Sequence, residues 1–247
     1  MERFEYTMTN KEKNKKETIL FPIRLVRFLA LAGVASRRKS FDIIQSGKVK
    51  VNGLIVTEPS LFVNESDNIK LNNKTIALSN FVYIMLNKPV GYVCTSSDPH
   101  VTKKAIDLIN LPQYRLFSAG RLDKDSEGLI IFTNDGDFSD KLTHPSNNIL
   151  KTYEVIVKYK LPKDKIDDML NGINDADETL RTVSIKALTS KKYIFVLNEG
   201  KKREIRRLVK YANSEVISLK RVSIGNLKLD NLPIGKWKYI SPEKIMR

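Results

Sequence analysis

Ser118–Asp137 reads SAGRLDKDSEGLIIFTNDGD. Asp123, Asp125 and Glu127 alternate through its first half, with Gly128 directly behind them. Such a run opens like a calcium-binding loop, which carries carboxylates at its first, third and fifth positions and glycine at its sixth. That loop type closes on a bidentate Glu at its twelfth position, and here the residue is Asn134. It also needs helices on both sides, whereas LIIF reads as a strand and RLFSAGR is not helical. The metal reading fails. What remains is an acid-bearing turn that feeds a buried strand. Gly120 and Gly128 let the backbone bend at either end. Arg121 and Asp123, two apart, share a side of an extended segment. Asp123 can therefore point into a cleft while Lys124 faces away.

The rest of the chain narrows what such a turn could serve. Its 247 residues are 41% hydrophobic, enough for a sizeable core. The formal net charge is +15, which favours a polyanionic partner. The charge is clustered. Arg24 to Lys50 holds seven Lys/Arg against Asp42 alone, and Lys201 to Lys228 holds nine against Glu204 and Glu215. Two basic stretches around a balanced middle predict two contact surfaces for one nucleic acid. Cys94 is the only cysteine, so no internal disulfide forms; a reducing, cytoplasmic setting is expected, with Cys94 as a small core residue. No apolar run reaches the roughly 18–20 residues of a membrane span, so no membrane partner is expected. Residues 1–22 mix bases and acids and read as a disordered tail. His100 and His144 stand alone without ligand-spaced partners, so zinc is unsupported. No dinucleotide fingerprint or phosphate-binding P-loop is present, and no cofactor is expected.

The fold class expected is α+β. RLVRFLALA (24–32) places Leu25, Phe28, Leu29 and Ala32 on one helical face, and Gly33 stops it. Ser36 caps a second helix in which Phe41, Ile43 and Ile44 are candidates for burial. Arg37, Arg38 and Lys39 crowd the first turn of that helix, an unfavourable place for positive charge unless a phosphate compensates. KVKVNGLIV then alternates about an Asn52-Gly53 hairpin turn. Beyond a linker at 78–80, strands are predicted at FVYIMLNKP, GLIIFTN, TYEVIVKY, TVSIKAL and YIFVLNEG, and helices at KDKIDDMLNGI and REIRRLVKYA.

GVASRRKSFDIIQSGKVKVNG (33–53) resembles the S4 RNA-binding domain, over about residues 23–78. SAGRLDKDSEGLIIFTNDG, together with NKPVGYVCT (87–95), KTYEV (151–155) and LNEGKKREIRRL (197–208), resembles the signature of the RsuA/RluB/RluE/RluF family of ribosomal RNA pseudouridine synthases. The resemblance implies a catalytic domain over 81–247, built on a mixed, largely antiparallel sheet flanked by helices. It puts the catalytic aspartate at Asp123, the active-site tyrosine at Tyr153 and the active-site basic residue at Arg206. Arg206 would stand beside Asp123 and keep it ionised, while Asp125 and Glu127 shape the turn. RNA contacts are expected at Arg37, Arg38, Lys39, Lys88, Arg121, Lys151, Lys201, Lys202, Arg203 and Arg207. Glu204 departs from the Gln common at that position, and Ser126 from a frequent Thr. The implied partner is ribosomal RNA of either subunit, or an assembling ribosomal particle, met by a monomer. Whether Asp123 attacks the sugar, attacks the base or removes a proton stays open. So does the alternative of a non-catalytic RNA-binding or ribosome-assembly protein that keeps the fold.

Overall fold

The computed structural model describes residues 19–95 and 102–245. Most of the expected tail, and His100, fall outside them. The N-terminal part runs β1 (Ile23–Arg24), α1 (Leu25–Leu31), α2 (Arg37–Gln45), β2 (Val49–Val51), β3 (Leu54–Val56), β4 (Phe62–Val63), β5 (Ile69–Leu71) and β6 (Lys74–Thr75). Strands β3-β2-β5-β6 form an antiparallel sheet, and β1 pairs with β4. The β2–β3 turn falls at Asn52-Gly53, both with positive φ, as a two-residue hairpin of that sequence demands. Ser36 accepts a hydrogen bond from the Lys39 amide and caps α2. Leu25, Phe28, Leu29 and Ile44 are buried together with Val49, Val63 and Ile69. Phe41, read as buried, is instead exposed, because only one narrow stripe of α2 faces this small core. Ile19 and Phe21 pack against the same cluster, so at least that end of the expected tail is tied down.

The second part is built on one nine-stranded sheet. Its elements are β7 (Tyr83–Lys88), β8 (Phe117–Ala119), β9 (Glu127–Thr133), α3 (Gly136–Thr143), β10 (Lys151–Val157), α4 (Lys163–Asn171), the hairpin β11 (Ile173–Asp175) and β12 (Glu178–Leu180), β13 (Ser184–Ala187), β14 (Lys192–Leu197), α5 (Glu204–Tyr211), β15 (Val216–Ile224), β16 (Leu227–Lys228) and β17 (Trp237–Tyr239). The order is β13-β14-β10-β15-β9-β7-β17, with β8 on β9 and β16 on β15. Among the described strands of this sheet, only β9 and β15 pair in parallel. The architecture is α+β with a mixed, mostly antiparallel sheet, as the sequence implies.

Both faces of this sheet are covered, which explains the unbroken apolar runs of β7 and β9. Ile84, Leu86, Ile130 and Phe132 point to one face, where Ile205, Leu208 and Val209 of α5 and Met169 of α4 join them. Tyr83, Met85, Leu129 and Ile131 point to the other, under Phe138 and Leu142 of α3. The two parts of the chain touch through Asp137 in the first turn of α3. Its carboxylate accepts from Arg27 of α1 and, at 3.3 Å, from Arg37 of α2. Among the described residues, no helix is long and apolar enough to cross a membrane.

Candidate active site

The turn between β8 and β9 lies on the face covered by α5. Gly128 is required there. Its φ is +107°, and a Cβ on it would stand 2.3 Å from the Arg221 carbonyl oxygen, where β9 and β15 run together. Leu122 turns inward and is buried among the core residues of that face. Its amide donates to Cys94 Sγ at 3.4 Å. Asp123 stays at the rim, half-buried. The Ser126 amide closes the turn on the Asp123 carbonyl at 3.1 Å, and the Gly91 amide donates to the Lys124 carbonyl at 2.7 Å. Beside the turn opens a cleft of about 580 Å³, lined in part by Cys94, Leu116, Ser118, Gly120 and Arg121.

Arg206 lies on α5, over the turn, but the acid it meets is Asp125. Its Nε is 3.3 Å from Asp125 Oδ2, too poorly directed for a hydrogen bond, while Nη2 donates to the Asp125 carbonyl at 2.8 Å. Arg203 grips the same carboxylate with both prongs, at 3.2 and 3.0 Å. Burial would raise the Asp125 carboxyl, but the Arg203 hydrogen bond and the two positive charges outweigh it and hold it below the usual range. Burial draws the Arg206 guanidinium below its ordinary value, against the attraction of Asp125 and, more weakly, of Asp123. The expected pairing is corrected accordingly: Arg206 anchors the turn through Asp125 and reaches Asp123 only as a neighbouring charge. Asp125, expected to shape the turn, does so as the hub of these contacts. Arg203 adopts a left-handed backbone at the start of α5, which aims its side chain back at the turn.

Tyr153 sits on β10 opposite Phe195 and Arg221, only 7% exposed, within the same apolar cluster as Leu122 and Cys94. The structure thus brings Asp123, Tyr153 and Arg206 to one face of one sheet.

Several expected RNA contacts stand elsewhere. Lys88 is fully buried, and its ammonium donates to the Pro89 and Tyr92 carbonyls, both at 2.9 Å. Desolvation draws it below its usual range. It braces the 89–92 loop, whose Gly91 holds the acid-bearing turn, and its buried ammonium is already taken up by these carbonyls. Arg207 is bound to Asp175 and Glu178 and ties α5 to the β11–β12 hairpin. Lys201 is held by Glu199 and the Thr179 carbonyl. Lys151 is half-buried and donates to the Asn198 carbonyl at 3.0 Å; burial and the nearby Arg221 charge lower it. Arg37 serves Asp137. Arg38, Lys39, Arg121 and Lys202 remain exposed. Sequence reasoning missed Arg221, a buried arginine on the strand VISLKRVSI. The available signal was its place two residues after the buried Leu219, on the same side of an extended segment.

The chain is similar to known proteins over most of its length. Residues 82–211 match the RNA pseudouridylate synthase family, and residues 23–69 match the S4 domain. The chain is 38% identical over 231 residues to ribosomal large subunit pseudouridine synthase B of Bacillus subtilis, covering 91% of this chain and 94% of that protein. It is 34% identical over 231 residues to the dual-specificity RNA pseudouridine synthase RluF of Escherichia coli O157:H7, covering 91% and 77%. A crystal structure of a pseudouridylate synthase superposes with a TM-score of 0.65 at 27% identity, covering 90% of this chain and 98% of that one.

Proposed function

The chain belongs to the RNA pseudouridylate synthases, and from that premise we propose that it isomerises uridine in ribosomal RNA with Asp123 as the reacting acid. One observation carries the assignment. The turn is held at Leu122, Lys124 and Asp125, and none of those contacts uses the Asp123 carboxylate. An acid on a fixed turn, beside a cleft and with no clamp of its own among the described residues, is available to a substrate.

The reaction breaks N1–C1′, turns the freed uracil and joins C5 to C1′. The proton lost from C5 balances the one gained at N1. The product has the composition of the substrate, so no oxidant, energy donor or co-substrate enters. A carboxylate can serve either as nucleophile or as base here. The target base must leave its stack at a cost of a few kcal/mol. We assign Tyr153 to flank the extruded uracil from the sheet, an aromatic contact of about 1–3 kcal/mol, with its phenol placed to take part in C5 proton removal. The Arg203–Asp125–Arg206 cluster keeps the turn fixed and the neighbourhood positive as RNA excludes water.

Residues 23–78 act as an RNA grip through Arg38 and Lys39, which position without reading sequence; residues 81–247 carry the chemistry, and the protein works as a monomer. The name of the Bacillus subtilis relative favours large-subunit RNA. Carbodiimide primer-extension mapping of ribosomal RNA, from cells with and without the gene, tests the reading. A pseudouridine stop lost with the gene supports it. Identical maps would contradict it.

A further inference from the structure

Arg221 is 5% exposed and lies on the strand between the two that carry the proposed site. Its Cα partner on β10 is Tyr153, and its partner on β9 is Gly128. The glycine permits the contact, since a Cβ there would also meet the Arg221 amide nitrogen at 2.7 Å. From this position the guanidinium turns back toward the catalytic turn. Nε donates to the Leu129 carbonyl at 2.7 Å, and Nη1 to the Arg121 carbonyl at 3.4 Å. These two carbonyls bracket Asp123, one on each side of the turn.

We propose that Arg221 is a positioning residue for the reaction, a staple that clamps both ends of the turn and so fixes where Asp123 presents its carboxylate. This inference rests on the reading of Asp123 as the reacting acid. The side chain suits that task better than it suits packing. Its Nη2 is buried and has no hydrogen-bond partner among the described residues, an arrangement that costs stability. It also stands close enough to Lys151 to lower that ammonium, a like-charge approach that a pure core filler would avoid. A methionine or leucine would fill the apolar surroundings of Leu219 and Tyr153 without either penalty. Two carbonyls in different directions call for a planar fork with several donors. A lysine could reach one of them at a time.

The staple differs from the Asp125 cluster. Arg203 and Arg206 hold the crest of the turn from α5, whereas Arg221 holds its base from inside the sheet. Losing the crest frees the loop outward. Losing the base lets β9 and the approach from β8 shift against each other, moving Asp123 as a unit.

The full-length Arg221→Lys and Arg221→Met proteins test this on unmodified ribosomal RNA transcripts carrying [5-³H]uridine, with tritium release as the readout of C5–H loss. Hydrogen exchange is followed in parallel over 119–131. The expected result for Arg221→Lys is a single-turnover rate down by about 10–100-fold, the scale of a roughly 1 Å misplacement. RNA affinity should change less than about twofold, and exchange should quicken at 121–129 but not along Tyr83–Lys88. Arg221→Met should show the same pattern, more strongly. Unchanged exchange at the turn would overturn the staple. So would a quickened turn with undiminished rate, and so would protection lost evenly through the sheet. Asp123→Asn is run beside them. If that variant turns over normally the functional reading falls, while the exchange data still judge the staple by itself.

Discussion

Replacing Asp125 by Asn keeps the size and shape of the side chain and removes one charge, so it isolates what the Arg203–Asp125–Arg206 cluster contributes. The Arg203 fork and the Asp125 carboxylate are 45% and 44% exposed. Screening at that exposure leaves their pair about 0.2–1 kcal/mol. The Arg206 side chain is only 15% exposed, so its lost partner weighs more, about 1–1.5 kcal/mol for a charged contact. Its hydrogen bond to the Asp125 carbonyl survives, because that acceptor is backbone. Together the substitution should cost about 1–2.5 kcal/mol, a fall in Tm of roughly 2–10 °C for a chain of this size. The sign with pH follows from the depressed Asp125 carboxyl. Its contribution is complete above the ordinary carboxylate range and is lost as pH falls through the lowered value, so wild type and variant should converge in acid. Turnover should drop about tenfold, since the turn loosens without losing its reacting group. The assays are thermal unfolding from pH 7 down to pH 3 and single-turnover tritium release. A variant as stable and as active as wild type would refute the cluster's role. A variant as inactive as Asp123→Asn would refute the division of labour between the two acids.

Three further outcomes follow from the same geometry. Removing the side chains of Arg38 and Lys39 should weaken binding to unrelated RNAs alike and reduce the slope of log affinity against log salt by about one to two, measured by titration across ionic strength. Glu204 is buried and its carboxyl is raised by desolvation, so ionising it opposes folding as pH climbs through and above the ordinary carboxylate range. Glu204→Gln should therefore raise the unfolding midpoint at pH 7–8 and leave it unchanged near pH 4; a variant less stable at pH 8 would contradict the sign. Gly128→Ala combines a positive φ, a strain of about 1–3 kcal/mol by itself, with a Cβ inside contact distance of the Arg221 backbone, and should give little folded protein by circular dichroism.

Much of this was legible in the chain, and the failures have physical reasons. The Asn52-Gly53 turn, the Ser36 cap and the stripe of α1 are set by neighbours within a few residues, and they form as written. The apolar runs of β7 and β9 announce strands buried on both faces. Strand β15 was not anticipated, because Lys220 and Arg221 break its apolar pattern. It is nevertheless central, since β10 and β9 lie on either side of it. Helix α3 was missed although Asp135 caps it in plain view, accepting from the Asp137 and Phe138 amides. At the site, sequence spacing brings Arg206 to the turn but cannot say which of two acids, two residues apart, it will meet. That choice depends on where α5 lies over the sheet, across 81 residues of chain. Lys88 and Arg207 read as phosphate contacts because lysine and arginine usually face water. The carbonyls of the 89–92 loop and the acidic β11–β12 hairpin claimed them instead.

The most direct test of the account is single-turnover tritium release by purified Asp123→Asn protein on unmodified ribosomal RNA transcripts, with RNA affinity and Tm measured on the same sample. The account predicts that turnover is abolished while affinity stays within about twofold of wild type and Tm within a few degrees. Turnover within tenfold of wild type would contradict it.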